Sequence, residues 1–166
     1  MALVTDEAGH SAPRLGEVEL TPEEARRFHG ELVRDVVRML CIGLIHGDLS
    51  EYNVLVAPEG PVIIDLPQVV SAAGNNAARA MLLRDVHNLR DSLARFAPEL
   101  AATHYGEEMW LLYEKGELQP DTALTGQFTF DQHDADVGAV MMSIEDARQE
   151  ALIREQGRAE AAAAED

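Results

Sequence analysis

Residues His46 to Asp65 read H-G-D-L-S-E-Y-N-V-L-V-A-P-E-G-P-V-I-I-D and decide the fold of this chain. Val54 to Val56 and Val62 to Ile64 are short runs of aliphatic, largely β-branched residues, and the five residues between them include two prolines and a glycine. Such runs favour strands, and such connections favour turns. The stretch therefore predicts a β-hairpin.

The register of this hairpin can be estimated from its turn. A turn centred on Glu59 would pair Val56 with Val62, Val54 with Ile64, and Asn53 with Asp65. Directly opposed side chains in an antiparallel pair have Cβ atoms about 5 Å apart. An amide oxygen and a carboxylate at that separation suit a hard divalent cation such as Mg²⁺, which takes oxygen ligands. The expected site thus places Asn53 and Asp65 on one cation.

Asp48 lies five residues before Asn53 and adds a second acid to the same region. The order D-x-x-x-x-N, followed by an aspartate after a hairpin, is the arrangement of a phosphotransferase. In such a site one acid orients the attacking hydroxyl group, and the amide and the second acid hold Mg²⁺. The spacing assigns the first role to Asp48.

The residues L-I-H-G-D-L-S-E-Y-N-V-L-V and I-I-D-L-P-Q-V-V resemble the RIO family of atypical protein kinases. The resemblance implies that Asp48 is the catalytic aspartate and that Asn53 and Asp65 bind the metal, Mg²⁺ or Mn²⁺. It places Ser50 where ordinary kinases carry the catalytic-loop lysine, which makes Ser50 both a catalytic and an ATP-contacting candidate. It implies ATP as the phosphate donor and Asp65 as a transient phosphate acceptor.

The resemblance implies an α+β, mostly helical fold: the C-terminal lobe of a protein kinase, with one β-hairpin that carries the metal site. Residues 1–118 would form this lobe, and residues 119–166 a loop and an acidic helical tail. The N-terminal M-A-L-V is similar to the segment that links the two lobes in RIO relatives. Leu3 and Val4 are therefore expected to contact the adenine of ATP.

Helices are predicted on both sides of the hairpin. Thr21 can cap a helix that begins at Pro22, Glu24 completes a capping box, and Gly43 ends the apolar stripe. A second periodic segment runs from Met81 to Phe96, and residues 99–112 continue as a further helix. Residues 71–76 are predicted as a polar loop, and 144–164 as a weakly packed helix.

Asp85 falls inside the second predicted helix. By resemblance to the kinase helix that supports the catalytic loop, Asp85 would accept backbone N–H bonds from around His46 and Gly47. The alternative is an exposed ion pair with Arg84 or Arg90.

The composition limits the partners of this chain. Its 166 residues carry a net charge of −17, which argues against direct binding to a nucleic-acid backbone. The single cysteine, Cys41, lies in an apolar helical run and fits a buried, inert thiol in a reducing compartment. No apolar run approaches the length of a membrane span. We expect a cytoplasmic protein that does not bind membranes.

Parts of a whole kinase have no counterpart in this sequence. The only lysine is Lys115, which follows the candidate site, and no G-x-G-x-x-G occurs. Kinases hold the phosphates of ATP with a lysine and a Gly-rich loop that both precede the catalytic loop. The sequence thus matches a C-terminal lobe only: it is truncated, the gene has lost the other lobe, or a partner supplies it. We expect weak activity from this chain alone.

The expected activity is Mg²⁺-dependent phosphoryl transfer from ATP by a serine/threonine kinase or ATPase, with a protein substrate or a ribosome-associated partner implied by the family. Two other hypotheses about the function remain open. The H-G-D-L-x-x-x-N pattern also resembles small-molecule phosphotransferases that act on aminoglycosides or choline, although Ser50-Glu51-Tyr52 and Leu66-Pro67-Gln68 speak against them. An inactive lobe that serves as an acidic interaction module is the non-enzymatic alternative.

Overall fold

The computed structural model describes residues 4–66 and 69–129. Within them the helices are α1 (Pro22–Cys41), α2 (Ala78–Ala94) and α3 (Tyr105–Glu114), and the strands are β1 (Leu44–Ile45), β2 (Val54–Ala57), β3 (Gly60–Ile63) and β4 (Val70–Ser71). Short 3-10 helices span Leu15–Glu17, Glu51–Asn53 and Pro98–Ala102. The predicted helical tail lies outside the described residues.

The start of α1 confirms the capping box. The Thr21 hydroxyl accepts a hydrogen bond from the backbone N–H of Glu24 at 3.2 Å, and the Glu24 carboxylate accepts one from the N–H of Thr21 at 2.8 Å. The helix ends at Cys41, just before Gly43, which adopts a φ of 78°. This left-handed conformation costs glycine little and turns the chain into β1.

The hairpin is confirmed, but its predicted register is wrong by one residue. Strands β2 and β3 pair Val54 with Ile63, Leu55 with Val62, Val56 with Pro61, and Ala57 with Gly60. The turn is the two-residue connection Pro58-Glu59, made possible by Gly60 at a φ of 141°. Asn53 is therefore opposite Ile64, whose N–H donates to the Asn53 carbonyl at 2.9 Å, and Asp65 lies one residue beyond.

Two further predictions need correction. Ser71, predicted as the start of a loop, belongs to β4, which pairs with β1 through Leu44–Ser71 and Ile45–Val70. Two-residue strands are too short to show an alternating pattern. The predicted helix over 99–112 is broken by the extended Thr103 between the 3-10 helix and α3. The Thr103 carbonyl accepts instead from Arg90 at 3.3 Å, and the N–H of His104 donates to the Gly126 carbonyl at 2.8 Å.

The core lies between α1, α2 and α3, with the two small sheets at one end. The apolar stripe of α1 packs against leucines and a valine of α2, and Met109 and Trp110 of α3 complete the cluster. Leu49 and Val54, on either side of the 3-10 helix Glu51–Asn53, are fully buried in the same cluster. The candidate site is thus attached to the core at both ends.

His29 is a buried, uncharged member of this core. It lies in α1 with 2% of its surface exposed, and its ring packs against Tyr105 with centroids 5.4 Å apart. Its Nε2 atom has no hydrogen-bond partner in the described part of the chain. Burial, together with the charge of Arg90, lowers the pKa of His29 to about 4.

We expect His29 to make the free energy of unfolding depend on pH between its pKa in the unfolded chain and its lower pKa in the folded chain. Below about pH 6.5 the unfolded chain binds a proton at this residue, whereas the folded chain does so only near pH 4. Stability is therefore present above pH 6.5 and lost as the pH falls towards 4, by about 3 kcal/mol. Urea unfolding of the wild type and of His29→Phe between pH 7 and 4.5 measures this difference.

The control for this prediction is His10→Gln. His10 is exposed beside Asp6, so its replacement should leave the pH dependence of unfolding close to that of the wild type. Identical pH slopes for the wild type and His29→Phe would contradict the assignment of a neutral, buried imidazole.

Candidate active site

The loop from His46 to Leu49 follows β1 and is held by side chains of α2. The backbone N–H of Gly47 donates to Oδ2 of Asp85 at 2.7 Å, and that of Leu49 donates to Oδ1 at 2.9 Å. Asp85 is 1% exposed. The predicted role of Asp85 is confirmed, and the alternative of an exposed ion pair is excluded by its burial.

The carbonyl groups of the same two residues are also held by α2. Arg84 donates from Nη2 to the Gly47 carbonyl at 2.6 Å, and Asn88 donates from Nδ2 to the Leu49 carbonyl at 3.1 Å. The N–H and carbonyl groups of Gly47 and Leu49, the residues on either side of Asp48, are thus all bound by side chains of α2. This fixes the backbone on either side of Asp48.

Asp48 itself is bound through its main chain, and its side chain is left exposed. Its N–H donates to Nδ1 of His46 at 3.3 Å, and its carbonyl accepts from Nδ2 of Asn53 at 2.6 Å. The Nε2 atom of His46 lies 2.8 Å from the Ile64 carbonyl. Since that carbonyl can only accept, the network selects the tautomer of His46 that carries its proton on Nε2.

These contacts bring three parts of the predicted site together. Asn53 is tied to the Asp48 main chain, and His46 ties the same loop to Ile64, the residue before Asp65. Asp65 is exposed and adopts a φ of 68°, a left-handed conformation that aspartate tolerates better than most residues. The chain therefore turns sharply where the hairpin ladder ends. Backbone strain of this kind concentrates at functional sites.

The structure gives the other predicted site residues local contacts. The Ser50 hydroxyl accepts from the N–H of Tyr52 at 3.3 Å and caps the 3-10 helix. The Val4 carbonyl accepts from the N–H of Ala12 at 3.0 Å. Leu3 lies outside the described residues. The predicted roles of Ser50, Leu3 and Val4 towards ATP stay predictions.

Burial is the main influence on the pKa of Asp85, the residue that holds the loop from His46 to Leu49. Loss of hydration raises the pKa of Asp85, and the N–H donors of Leu49 and Gly47 and the charge of Arg84 limit the rise. Both carboxylate oxygens of Asp85 accept hydrogen bonds from backbone N–H groups of the loop.

The donor chemistry of the candidate site fits a hard cation. Asn53 uses its Nδ2 on the Asp48 carbonyl, so its Oδ1 is the atom that can serve as a ligand, and Asp65 offers an exposed carboxylate. In residues 4–66 and 69–129 no three His, Cys, Asp or Glu side chains form a metal site. One amide and one carboxylate match Mg²⁺ bound jointly with phosphate oxygens and water.

Sequence reasoning did not predict the roles of Arg84 and Asn88. The available signal was their spacing, because residues 84, 85 and 88 share one face of a helix. Polar residues clustered on an otherwise core-facing side indicate that a buried main chain has to be satisfied there.

The architecture has known counterparts. A structure of the Rio2 kinase-ADP/Mg²⁺-phosphoaspartate complex from Chaetomium thermophilum matches 89% of this chain and 44% of that chain, with 26% sequence identity and a TM-score of 0.50. The serine/threonine-protein kinase RIO1 of Chaetomium thermophilum is 37% identical over 95 residues, which are 52% of this chain and 18% of that protein. Rio1 of Haloferax volcanii is 41% identical over 86 residues, 51% of this chain and 28% of that relative.

The helical lobe, the anchored Asp48 loop and the hairpin define a protein of the kinase-like class. The RIO domain family model matches residues 1–105, and the chain belongs to this family. This confirms the resemblance to RIO kinases over that to small-molecule phosphotransferases. The chain spans less than a third of the length of the two curated relatives described above.

Proposed function

We propose that this chain contributes the catalytic loop and metal ligands for Mg²⁺-dependent phosphoryl transfer from ATP in a RIO-type serine/threonine kinase or ATPase. The observation that carries the proposal is the anchoring of Gly47 and Leu49 by α2, which leaves the Asp48 carboxylate exposed on a fixed backbone. Phosphoryl transfer depends almost entirely on such positioning and on electrostatic stabilisation.

The roles follow from the chemistry of each side chain. The Asp48 carboxylate would accept the proton of the attacking hydroxyl group. The Asn53 Oδ1 and the Asp65 carboxylate would hold Mg²⁺, which neutralises the charge of the phosphate oxygens when bound. His46 and Asp85 act through the main chain by keeping the loop in place.

The relatives suggest the acceptors. Those matched here are named as serine/threonine kinases, which supports a serine hydroxyl as the acceptor. The Rio2 neighbour contains a phosphoaspartate, which supports Asp65 as a transient acceptor in this chain. The single cysteine fits the reducing setting of the cytoplasm. No helix among the described residues is long and apolar enough to cross a membrane.

The metal site is testable in this chain without turnover. We expect Mn²⁺, added well below one equivalent, to broaden the amide NMR signals around Asn53 and Asp65, because a paramagnetic ion at low occupancy still relaxes nearby nuclei. Asp65→Ala should abolish the broadening around Asn53, since it removes the only carboxylate ligand of the pair. Two-dimensional ¹⁵N spectra of the wild type and the variant measure it.

The control is Asp91→Ala, which removes an exposed aspartate from α2 that pairs with Arg90. It should leave the broadening around Asn53 unchanged. Broadening that persists in Asp65→Ala, or that is confined to other acidic surfaces, would overturn the assignment of Asn53 and Asp65 as metal ligands.

A further inference from the structure

A concave surface on α1 is lined by none of the candidate active-site residues. It is an open groove of about 520 Å³ that runs along this helix. Its lining on that helix consists of Arg26, Arg27, Gly30, Val33, Arg34 and Val37. Tyr105 and residues 120–124 form the opposite wall. We call this surface the arginine groove, and its volume is typical of cavities that hold ligands.

The arginine groove brings three arginines together on an acidic protein, and two of them are already in ion pairs. Three of the 13 basic residues line it, although the chain has a net charge of −17. Arg26 forms an ion pair of 2.6 Å with Glu99, and Arg27 a long one of 3.9 Å with Glu31. Arg34 is exposed and has no ion pair within the described residues. The planar guanidinium group presents N–H donors that match the two oxygens of a carboxylate.

Gly30 is the second feature of the arginine groove that the fold does not explain. It lies in the middle of α1, where glycine is a poor helix former. A Cβ atom at Gly30 would meet nothing within 4 Å among the described residues, so packing among them does not require glycine. Bare helix backbone therefore faces the groove between Arg27 and Arg34. Because glycine has no side chain, another group can approach the helix backbone closely at this position.

The far wall of the arginine groove is held in position. The Gln119 N–H donates to the Thr122 hydroxyl at 2.8 Å. Glu108 accepts from the N–H groups of Thr125 and Gly126, at 2.9 Å and 2.8 Å. A Cβ on Gly126 would lie 2.7 Å from the Tyr105 ring, so this segment packs tightly on α3. The groove is therefore formed before any partner binds, which lowers the cost of binding.

We propose that the arginine groove is a docking site for an extended acidic peptide segment of a partner protein, with carboxylates beside apolar side chains. The carboxylates would pair with Arg34 and Arg27, the peptide backbone would pass over Gly30, and apolar side chains would pack on Tyr105 and Leu124. Asp121 on the opposite wall repels carboxylates and so directs them towards α1. The inference does not depend on the proposed kinase activity.

Fluorescence anisotropy of the full 166-residue chain tests the inference. The probe is a labelled ten-residue peptide of alternating Glu and Leu, used at 0.15 M NaCl, where the Debye length of about 8 Å limits repulsion from distant acids. We expect saturable binding that Arg34→Glu weakens at least tenfold. Gly30→Leu should weaken it similarly while leaving the unfolding temperature unchanged or higher, because leucine is a better helix former than glycine.

Arg38→Glu is the matched control, since Arg38 lies on the same helix, is exposed, and is outside the groove. It should change the dissociation constant less than twofold, and a peptide of alternating Glu and Ser should bind at least tenfold more weakly than the Glu-Leu peptide. The proposal is overturned by absent binding to the wild type, by equal losses in Arg34→Glu and Arg38→Glu, or by equal binding of the two peptides. A dimer in sedimentation that Arg34→Glu dissociates would identify a second copy as the occupant and overturn it too.

Discussion

Asp85→Ala should lower the free energy of unfolding by about 2–6 kcal/mol, because two buried N–H groups lose their acceptor and each unsatisfied group costs about 1–3 kcal/mol. These are the N–H groups of Gly47 and Leu49, which donate to the two oxygens of Asp85. Urea unfolding at pH 7 measures the loss. Hydrogen exchange in the same variant should become faster first at Gly47 and Leu49.

Asp35→Ala is the matched control for this experiment. Asp35 also lies on a helix and also has a partner, Arg38 at 3.0 Å, but this pair is on the surface. Removing an exposed pair of this type should cost less than about 1 kcal/mol. An Asp85→Ala loss no larger than that of Asp35→Ala would show that water replaces the carboxylate and that the anchor is weak.

Local signals predicted the elements of the fold that depend on few residues. The capping box at Thr21 and the run of turn residues before Gly60 act within four or five positions of the chain, so the sequence displays them directly. The register of the hairpin could not be predicted from these local signals, because it depends on whether the turn contains two residues or three. A change of one residue moved Asp65 from opposite Asn53 to the position after the ladder.

Long-range contacts account for what the sequence left open. The break at Thr103 is supported by Arg90 from α2, and the start of α3 by the Gly126 carbonyl, more than twenty residues further on. Neither contact leaves a local pattern in the sequence. Such contacts override helix propensity, which is only a weak predictor of structure. The pairing of β1 with β4 likewise joins residues that are far apart in the sequence. The resemblance predicts the role of Asp85, whereas the roles of Arg84 and Asn88 emerge only from the folded structure.

The largest expected effect concerns the 166-residue chain as it stands: it should bind ATP·Mg²⁺ with a dissociation constant of about 1 mM or weaker and turn it over negligibly. Asp48 lies on the anchored loop, Asn53 in the 3-10 helix Glu51–Asn53 and Asp65 after β3. The sequence, however, has no Gly-rich loop, and its only lysine is Lys115. Lys115 follows α3, on the C-terminal side of the entire candidate site.

Positioning is the reason for this expectation. Phosphoryl transfer relies on holding the phosphates in line and neutralising them, and a misplacement of about 1 Å can cost on the order of 10²-fold in rate. With only the proposed metal ligands and the loop, the triphosphate would keep most of its hydration and sample many orientations. Isothermal titration of the purified chain with ATP and Mg²⁺, together with a phosphate-release assay, measures both quantities. Micromolar binding with turnover abolished by Asp48→Ala would show that these residues suffice by themselves, because no other source of activity would depend on that carboxylate.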